Sequence, residues 1–133
     1  NIVIPLRGRL THLIKFLPAV INQLRFQQWI ITIVVDLSPL IAVPHFNRGT
    51  LLNIGFLCGE QRSVWTISHD VDLLPSPDHC YVQPRAGELM GMRQGFYSGY
   101  MGGVCAIGNK EWRLMDGYSN RFWGWGGEDT GWS

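Results

Sequence analysis

Charge is scarce in this chain. Only 16% of its 133 residues are charged and the net charge is +1, so no long-range field draws it to nucleic acid or to an acidic membrane surface. Long hydrophobic runs are missing too. The most apolar stretch, residues 29–35, ends at Asp36 and is too short to span a bilayer. The three cysteines, Cys58, Cys80 and Cys105, show no C-x-x-C spacing, which argues against a zinc or dithiol redox motif. Repeats, low-complexity tracts and linkers are absent, so one domain over residues 1–133 is expected. The chain opens on Asn1-Ile2-Val3-Ile4-Pro5, without an initiator Met or signal peptide. That opening reads as the first strand of a domain in a trimmed or partial chain.

What is present is apolar and unusual. Hydrophobic residues make up 46%, with sixteen Gly and six Trp, a composition that folds into a core. Ile2 to Leu6 reads as a short buried strand ended by Pro5 and a turn at Arg7-Gly8-Arg9. Leu10, Leu13, Ile14, Leu17, Ile21 and Leu24 recur at helical spacing, with Pro18 as an expected kink. Residues 29–35 predict a second buried strand, 37–45 an irregular loop, 46–56 a helix burying Leu51, Leu52 and Phe56, and 63–68 a third strand. Residues 76–95 read as loop and 97–107 as a strand weakened by Gly102-Gly103. Asn109 is expected to cap a short helix that Gly117 ends. This order predicts an α/β domain with a mostly parallel sheet. Ligands then sit beyond the carboxyl ends of the strands, where Arg7, Arg9, Asp70 and Asp72 fall.

Two segments carry the chemistry. Asp70-Val71-Asp72 follows an apolar strand, and in extended backbone residues two apart face one side. Paired carboxylates repel unless a cation offsets them, and oxygen donors favour Mg²⁺ or Mn²⁺. A metal there would bridge a diphosphate leaving group; the plainer alternative is a solvated turn. Arg7, Arg9 and Arg48 lie near expected helix N-termini and suit phosphate, or are simply surface arginines. His69, beside the acids, reads as a packed or hydrogen-bonded residue rather than a ligand.

The other segment is Trp123-Gly124-Trp125-Gly126-Gly127-Glu128-Asp129. Trp125 could stack on a sugar, the glycines could let a loop close, and Glu128 or Asp129 could take a proton from a hydroxyl. Trp123 taken alone reads as a core plug. Tyr97, Tyr100 and Gly102-Gly103 could wall a site where a ligand approaches backbone closely, or form a bulged strand. Cys105 reads as a small buried hydrophobe.

Longer stretches carry a resemblance. Phe46-Asn47-Arg48-Gly49-Thr50-Leu51-Leu52-Asn53-Ile54-Gly55-Phe56, His69-Asp70-Val71-Asp72-Leu73-Leu74-Pro75, Tyr100-Met101-Gly102-Gly103-Val104 and Ser119-Asn120-Arg121-Phe122 running on into the Trp-Gly segment resemble the β-1,4-galactosyltransferase family, glycosyltransferase family seven. Ile4-Pro5-Leu6-Arg7-Gly8-Arg9 looks like its first nucleotide-binding strand and turn. The resemblance implies a GT-A-type, Rossmann-like fold, cut short at its carboxyl end. It also implies inverting, β-1,4 transfer of galactose from UDP-galactose to xylose or N-acetylglucosamine of a glycoprotein or proteoglycan, with Mn²⁺ ahead of Mg²⁺.

By the same resemblance, Pro5, Arg7, Arg9, Phe46 and Arg48 line the uridine-diphosphate pocket, Asp70 touches the nucleotide sugar and Asp72 ligates the metal. Tyr97, Tyr100 and Gly103 border the sugar pocket, a Tyr at position 100 favouring galactose. Trp125 contacts donor and acceptor. Gly127, Glu128 and Asp129 hold the acceptor, with Asp129 the general base. It implies a Golgi-lumenal, type II membrane parent anchored through a segment outside this chain, and further metal ligands, including a histidine, beyond Ser133. Cys80 matches one half of a disulfide of some members, with Trp65 at the partner position. Residues 36–45 depart from the family's short polar loop. His69 to Pro75 and Ser119 to Phe122 look like the xylose-acceptor branch, Gly127 like the N-acetylglucosamine-acceptor branch. A catalytically incomplete piece, or a non-catalytic UDP-sugar or glycan-binding module of the same ancestry, is the alternative.

Overall fold

The computed structural model describes residues 1–39, 41–42, 45–75, 81–91 and 103–124. Within them, five strands form one sheet: β1 (Ile2–Leu6), β2 (Ile31–Val35), β3 (Trp65–His69), β4 (Leu89–Gly91) and β5 (Val104–Gly108). The helices are α1 (Leu10–Gln23), α2 (Arg48–Gly59) and α3 (Asn109–Leu114), and a 3-10 turn at Glu60–Arg62 follows α2. The strand order is β2-β1-β3-β5-β4. β1 pairs in parallel with β2 and β3, whereas β5 is antiparallel to β3 and to β4. Four of the five strands therefore run one way and only β5 is reversed.

The alternation of β1 sets the layers. Ile2, Ile4 and Leu6 pack with Leu13, Phe16 and Val20 of α1. Val3, pointing the other way, packs with Leu52 and Phe56 of α2 and Trp112 of α3. A strand buried on both faces needs an unbroken apolar run, and Ile2–Leu6 supplies it.

Pro5 is tolerated in this central strand because of its parity. Ile2 N–H bonds the Ile30 carbonyl and Leu6 accepts from Asp36 N–H, so even residues address β2. Asn1 accepts from Ile67 N–H, so odd residues address β3. Carried one step on, the Ile2↔Ile67 and Val3↔Ser68 register sets Pro5 N against the His69 carbonyl, so the missing N–H ends the β1–β3 ladder there and leaves the β1–β2 ladder intact.

Gly55 lets α2 sit on β1. A Cβ there would fall 2.2 Å from Val3 Cγ1 and 3.0 Å from Val34 Cγ2. Gly55→Ala gains about 1 kcal/mol of helix propensity, but overpacking costs about 1–3 kcal/mol. We expect a net loss of stability, seen as a lower thermal midpoint; an unchanged or raised midpoint would contradict this packing.

Several expectations are corrected. The buried face of α1 is Leu13, Phe16 and Val20, continued by Leu24 at its C-cap, while Leu10, Ile14 and Ile21 are exposed. β2 and β3 begin two residues later than expected, and α2 starts at Arg48 and runs past Phe56 to Gly59. The three-residue β4 lies inside the stretch read as loop.

Gly108, not Asn109, is the N-cap of α3. The Asn109 side chain instead braces β3, accepting from Thr66 Oγ1 at 2.8 Å and donating to the Ser63 carbonyl at 2.9 Å. Gly117, at φ +67°, does follow the end of α3 as expected, one residue after the left-handed Asp116. Cys105 is buried, also as expected. No helix among the described residues is long and apolar enough to cross a membrane.

Candidate functional site

Four chain segments meet at the carboxyl ends of β1 and β3. The first leaves β1 through Arg7 and Gly8, where φ is +63°, and enters α1 at its N-cap residue, Arg9. The second is the N-terminus of α2. Asn47 caps it, its side-chain oxygen accepting from Thr50 N–H at 2.9 Å, and Arg48 begins the helix in a buried position. The third is the turn after β3, bearing Asp70 and Asp72. The fourth, residues 118–124, runs back over α2.

Two arginine–aspartate pairs knit these segments together, and a third ties the first segment to the chain after β2. Arg48 Nε donates to Asp70 Oδ1 at 2.7 Å. Arg9 pairs with Asp72. Arg7 lies 3.6 Å from Asp36 and donates to the His45 carbonyl at 2.8 Å. Hydrogen bonds from Ser38 hold the Asp36 carboxyl below its usual range, with the Arg7 charge a smaller cause. The two acids after β3 are therefore each matched by a guanidinium. That is the arrangement a site for an anion and a cation needs before either arrives.

The geometry after β3 differs from the extended one expected. Residues 71–72 form a turn closed by Leu73 N–H to the Asp70 carbonyl at 3.3 Å. Val71 is buried, and the carboxylates of Asp70 and Asp72 reach different arginines. Gly103 lies against this turn at φ +80°. Its carbonyl accepts from Asp70 N–H at 2.8 Å, and a Cβ there would stand 2.5 Å from Leu73 Cδ1 and 3.8 Å from Asp70 Oδ2.

Asn47 and Tyr118 had no role in the sequence reading. Asn47 Nδ2 donates to the Asn120 carbonyl at 2.8 Å. Asn53, further along α2, holds the N–H and the carbonyl of Tyr118. Tyr118 places its ring 5.6 Å from the Arg48 guanidinium carbon, within cation–π range, and its hydroxyl 2.8 Å from Ser68 Oγ. The signal for Asn47 was available: Asn three residues before Thr50, just ahead of an apolar helix, is a capping pattern. Asn47→Ala should cost about 1–2 kcal/mol and loosen the 118–124 segment. A thermal melt and faster amide exchange at 118–124 would check both.

The fourth segment leads into the Trp-Gly motif. Gly124 N–H donates to the Phe46 carbonyl at 2.9 Å, and Gly124 takes φ +93°. The motif thus starts from the edge of the arginine cluster. Trp123 is 59% exposed and does not plug the core. Trp125, Gly127, Glu128 and Asp129 lie outside the described residues, as do Tyr97, Tyr100 and Cys80. Pro5, Arg7, Arg9, Phe46, Arg48, Asp70, Asp72 and Gly103 are brought together at one end of the sheet.

His69 is a packed residue, as expected. It is fully buried, edge-on to Phe16 at 4.7 Å between ring centroids. Among the described residues no group of three or more His, Cys, Asp and Glu side chains converges as a metal centre. Asp72 nonetheless offers a half-exposed carboxylate already facing a cationic group. Its hard oxygen donors suit Mn²⁺ or Mg²⁺ held jointly with phosphate oxygens and water.

Comparison with known proteins bears on this cluster. Residues 1–83 match the N-terminal region of glycosyl transferase group 7, and residues 90–132 match the N-terminal domain of galactosyltransferase. The chain is 36% identical to β-1,4-galactosyltransferase 4 of Mus musculus, over 96% of its own length and 39% of the relative's. It is also 36% identical to human β-1,4-galactosyltransferase 7, over 96% of this chain and 40% of that one. A mutant Drosophila β-1,4-galactosyltransferase 7, solved with manganese, UDP-Gal and xylobiose, superposes with a TM-score of 0.84 and 26% identity. That match covers 97% of this chain and 56% of the solved one. The architecture is thus the GT-A type expected, and the chain spans well under two thirds of these relatives' lengths.

Proposed function

The chain belongs to the β-1,4-galactosyltransferase family, glycosyl transferase group 7, and from that premise we propose that its protein transfers galactose from UDP-galactose to a sugar hydroxyl, with inversion and β-1,4 linkage. Xylose or N-acetylglucosamine of a glycoconjugate is the acceptor. The supporting observation is the convergence of Arg9 and Arg48, paired with Asp72 and Asp70, beyond the carboxyl ends of β1 and β3. Nucleotide diphosphates bind at that end of an open α/β sheet.

In this reading Arg7, Arg9 and Arg48 receive the diphosphate, with α2's N-terminal amides nearby. Pro5 and Phe46 wall the nucleotide pocket, while Asp70, Gly103 and Tyr100 border the galactose. Trp125 and Tyr97 hold donor and acceptor in line, and Gly127 and Glu128 orient the acceptor sugar. Asp129 takes the proton of the acceptor hydroxyl, whose oxygen bonds to the anomeric carbon from the face opposite the UDP. The bond from that carbon to the phosphate oxygen breaks, and the arginines meet the charge left on UDP. A divalent cation, Mn²⁺ by analogy with the Drosophila complex, supplies further charge neutralisation from Asp72. The protein acts in the Golgi lumen as a type II membrane protein.

The test is transfer from UDP-galactose to simple xylosides and N-acetylglucosaminides by the full-length protein with Mn²⁺. A β-1,4-linked product is expected on one acceptor class. UDP-galactose binding without transfer to either would leave a binding module, and no binding at all would sink the reading.

A further inference from the structure

The residue before the first acid is engaged at both ring nitrogens. His69 closes β3 and is fully buried. Its Nδ1 lies 2.9 Å from the Asp70 carbonyl oxygen and its Nε2 lies 2.8 Å from the Tyr81 hydroxyl. A carbonyl oxygen can only accept, so Nδ1 carries the proton. In the neutral ring Nε2 then accepts, and Tyr81 O–H donates to it. The result is a directed chain: Tyr81 hydroxyl to imidazole to the Asp70 carbonyl.

That carbonyl matters because it opens the acidic turn. It also accepts from Leu73 N–H, at 3.3 Å, across Val71 and Asp72. A bond at that length is weak alone, so the imidazole supplies the closer restraint on where the turn leaves β3. Tyr81 is buried and lies parallel to the imidazole, with centroids 6.0 Å apart, and Phe16 of α1 meets the imidazole edge-on. The imidazole therefore has neither a second rotamer nor a second tautomer open to it without breaking a contact.

We infer that His69 and Tyr81 are positioning residues for the Asp70–Asp72 turn, orienting the carboxylates toward a metal-bound nucleoside diphosphate. This rests on the function proposed above. Neither side chain touches substrate in this reading. Each acts through the backbone of the acids, as outer partners of metal ligands do.

Two histidine variants separate positioning from packing. The side-chain amide nitrogen of Asn falls near the imidazole Nδ1, and the amide oxygen of Gln can take the accepting place of Nε2. His69→Asn therefore keeps a donor for the Asp70 carbonyl, and His69→Gln keeps only the partner of Tyr81. The readouts are Mn²⁺-dependent UDP binding by calorimetry and thermal melts, on the full-length protein. Expected is a loss of affinity of about tenfold for His69→Gln, which lacks the donor to the Asp70 carbonyl, and a smaller loss for His69→Asn and for Tyr81→Phe, which both keep that donor and lose only the Tyr81 link.

If His69→Gln does not fold, Tyr81→Phe, which removes one hydroxyl, decides by the same readouts. Affinities at the wild-type level in every folded variant, with lowered melts, overturn the inference and leave a packing histidine. His69→Asn as weak as a folded His69→Gln overturns it too. A wild-type protein that binds no UDP overturns the proposed function and this inference together, whereas unaffected variants of a binding-competent protein overturn the inference alone.

Discussion

Asp129→Asn is expected to lower kcat for galactosyl transfer by about 10²–10⁴-fold with UDP affinity nearly unchanged. Asn keeps the size and much of the hydrogen bonding of Asp but cannot take a proton at neutral pH. The loss therefore belongs to deprotonation of the acceptor hydroxyl and should appear in kcat rather than in donor binding. The structural ground is the anchoring of the motif that carries Asp129, since Gly124 bonds the Phe46 carbonyl at the rim of the arginine cluster. Steady-state kinetics on the active acceptor, beside UDP calorimetry, checks both halves. Wild-type kcat in the variant would remove Asp129 from the base role, and Glu128→Gln would then be the next variant to make.

Arg48→Met is expected to damage folding and donor binding together. The Arg48 side chain is 8% exposed and that of Asp70 30%. Removing one member of a buried pair strands the other, at about 3–5 kcal/mol for a fully enclosed pair. Solvent reaches Asp70, so about 2–3 kcal/mol is the expectation here. The double variant Arg48→Met/Asp70→Asn should cost less than the sum of the two singles, because the stranded charge is gone. Urea unfolding of the three variants measures this, and strict additivity would mean that the pair is not coupled. UDP binding should fall in Arg48→Met even below the midpoint of unfolding, since the same guanidinium is assigned to the diphosphate.

Local chemistry made β1 legible to the residue, because a strand buried on both faces must be apolar throughout. The site's position was legible for a related reason: Arg7, Arg9, Asp70 and Asp72 follow strands whose carboxyl ends could be counted. The buried face of α1 was not. The apolar arc of that helix is wide, opposite Thr11, His12, Lys15, Asn22 and Gln23, so Leu10, Ile14 and Ile21 fit a helical stripe as well as Phe16 and Val20 do, and only β1 decides between them. β4 exists because β5 pairs with it, and three residues of a polar stretch carry no period of their own. The Asn109 brace and the Arg–Asp pairs join residues between 22 and 63 positions apart. Such partners are set by the tertiary fold. The acids assigned to the acceptor lie outside the described residues, so their placement rests on the sequence motif.

Gly103 has a consequence for how a mutational scan of this protein will look. Its backbone is left-handed and the space for a Cβ is taken by Leu73. Two independent penalties then fall on any side chain at that position, before a donor sugar is present. Position 103 should score as intolerant in a stability screen without ligand as strongly as in an activity screen. Dead variants there therefore report the shape of the scaffold rather than the preference of a sugar pocket.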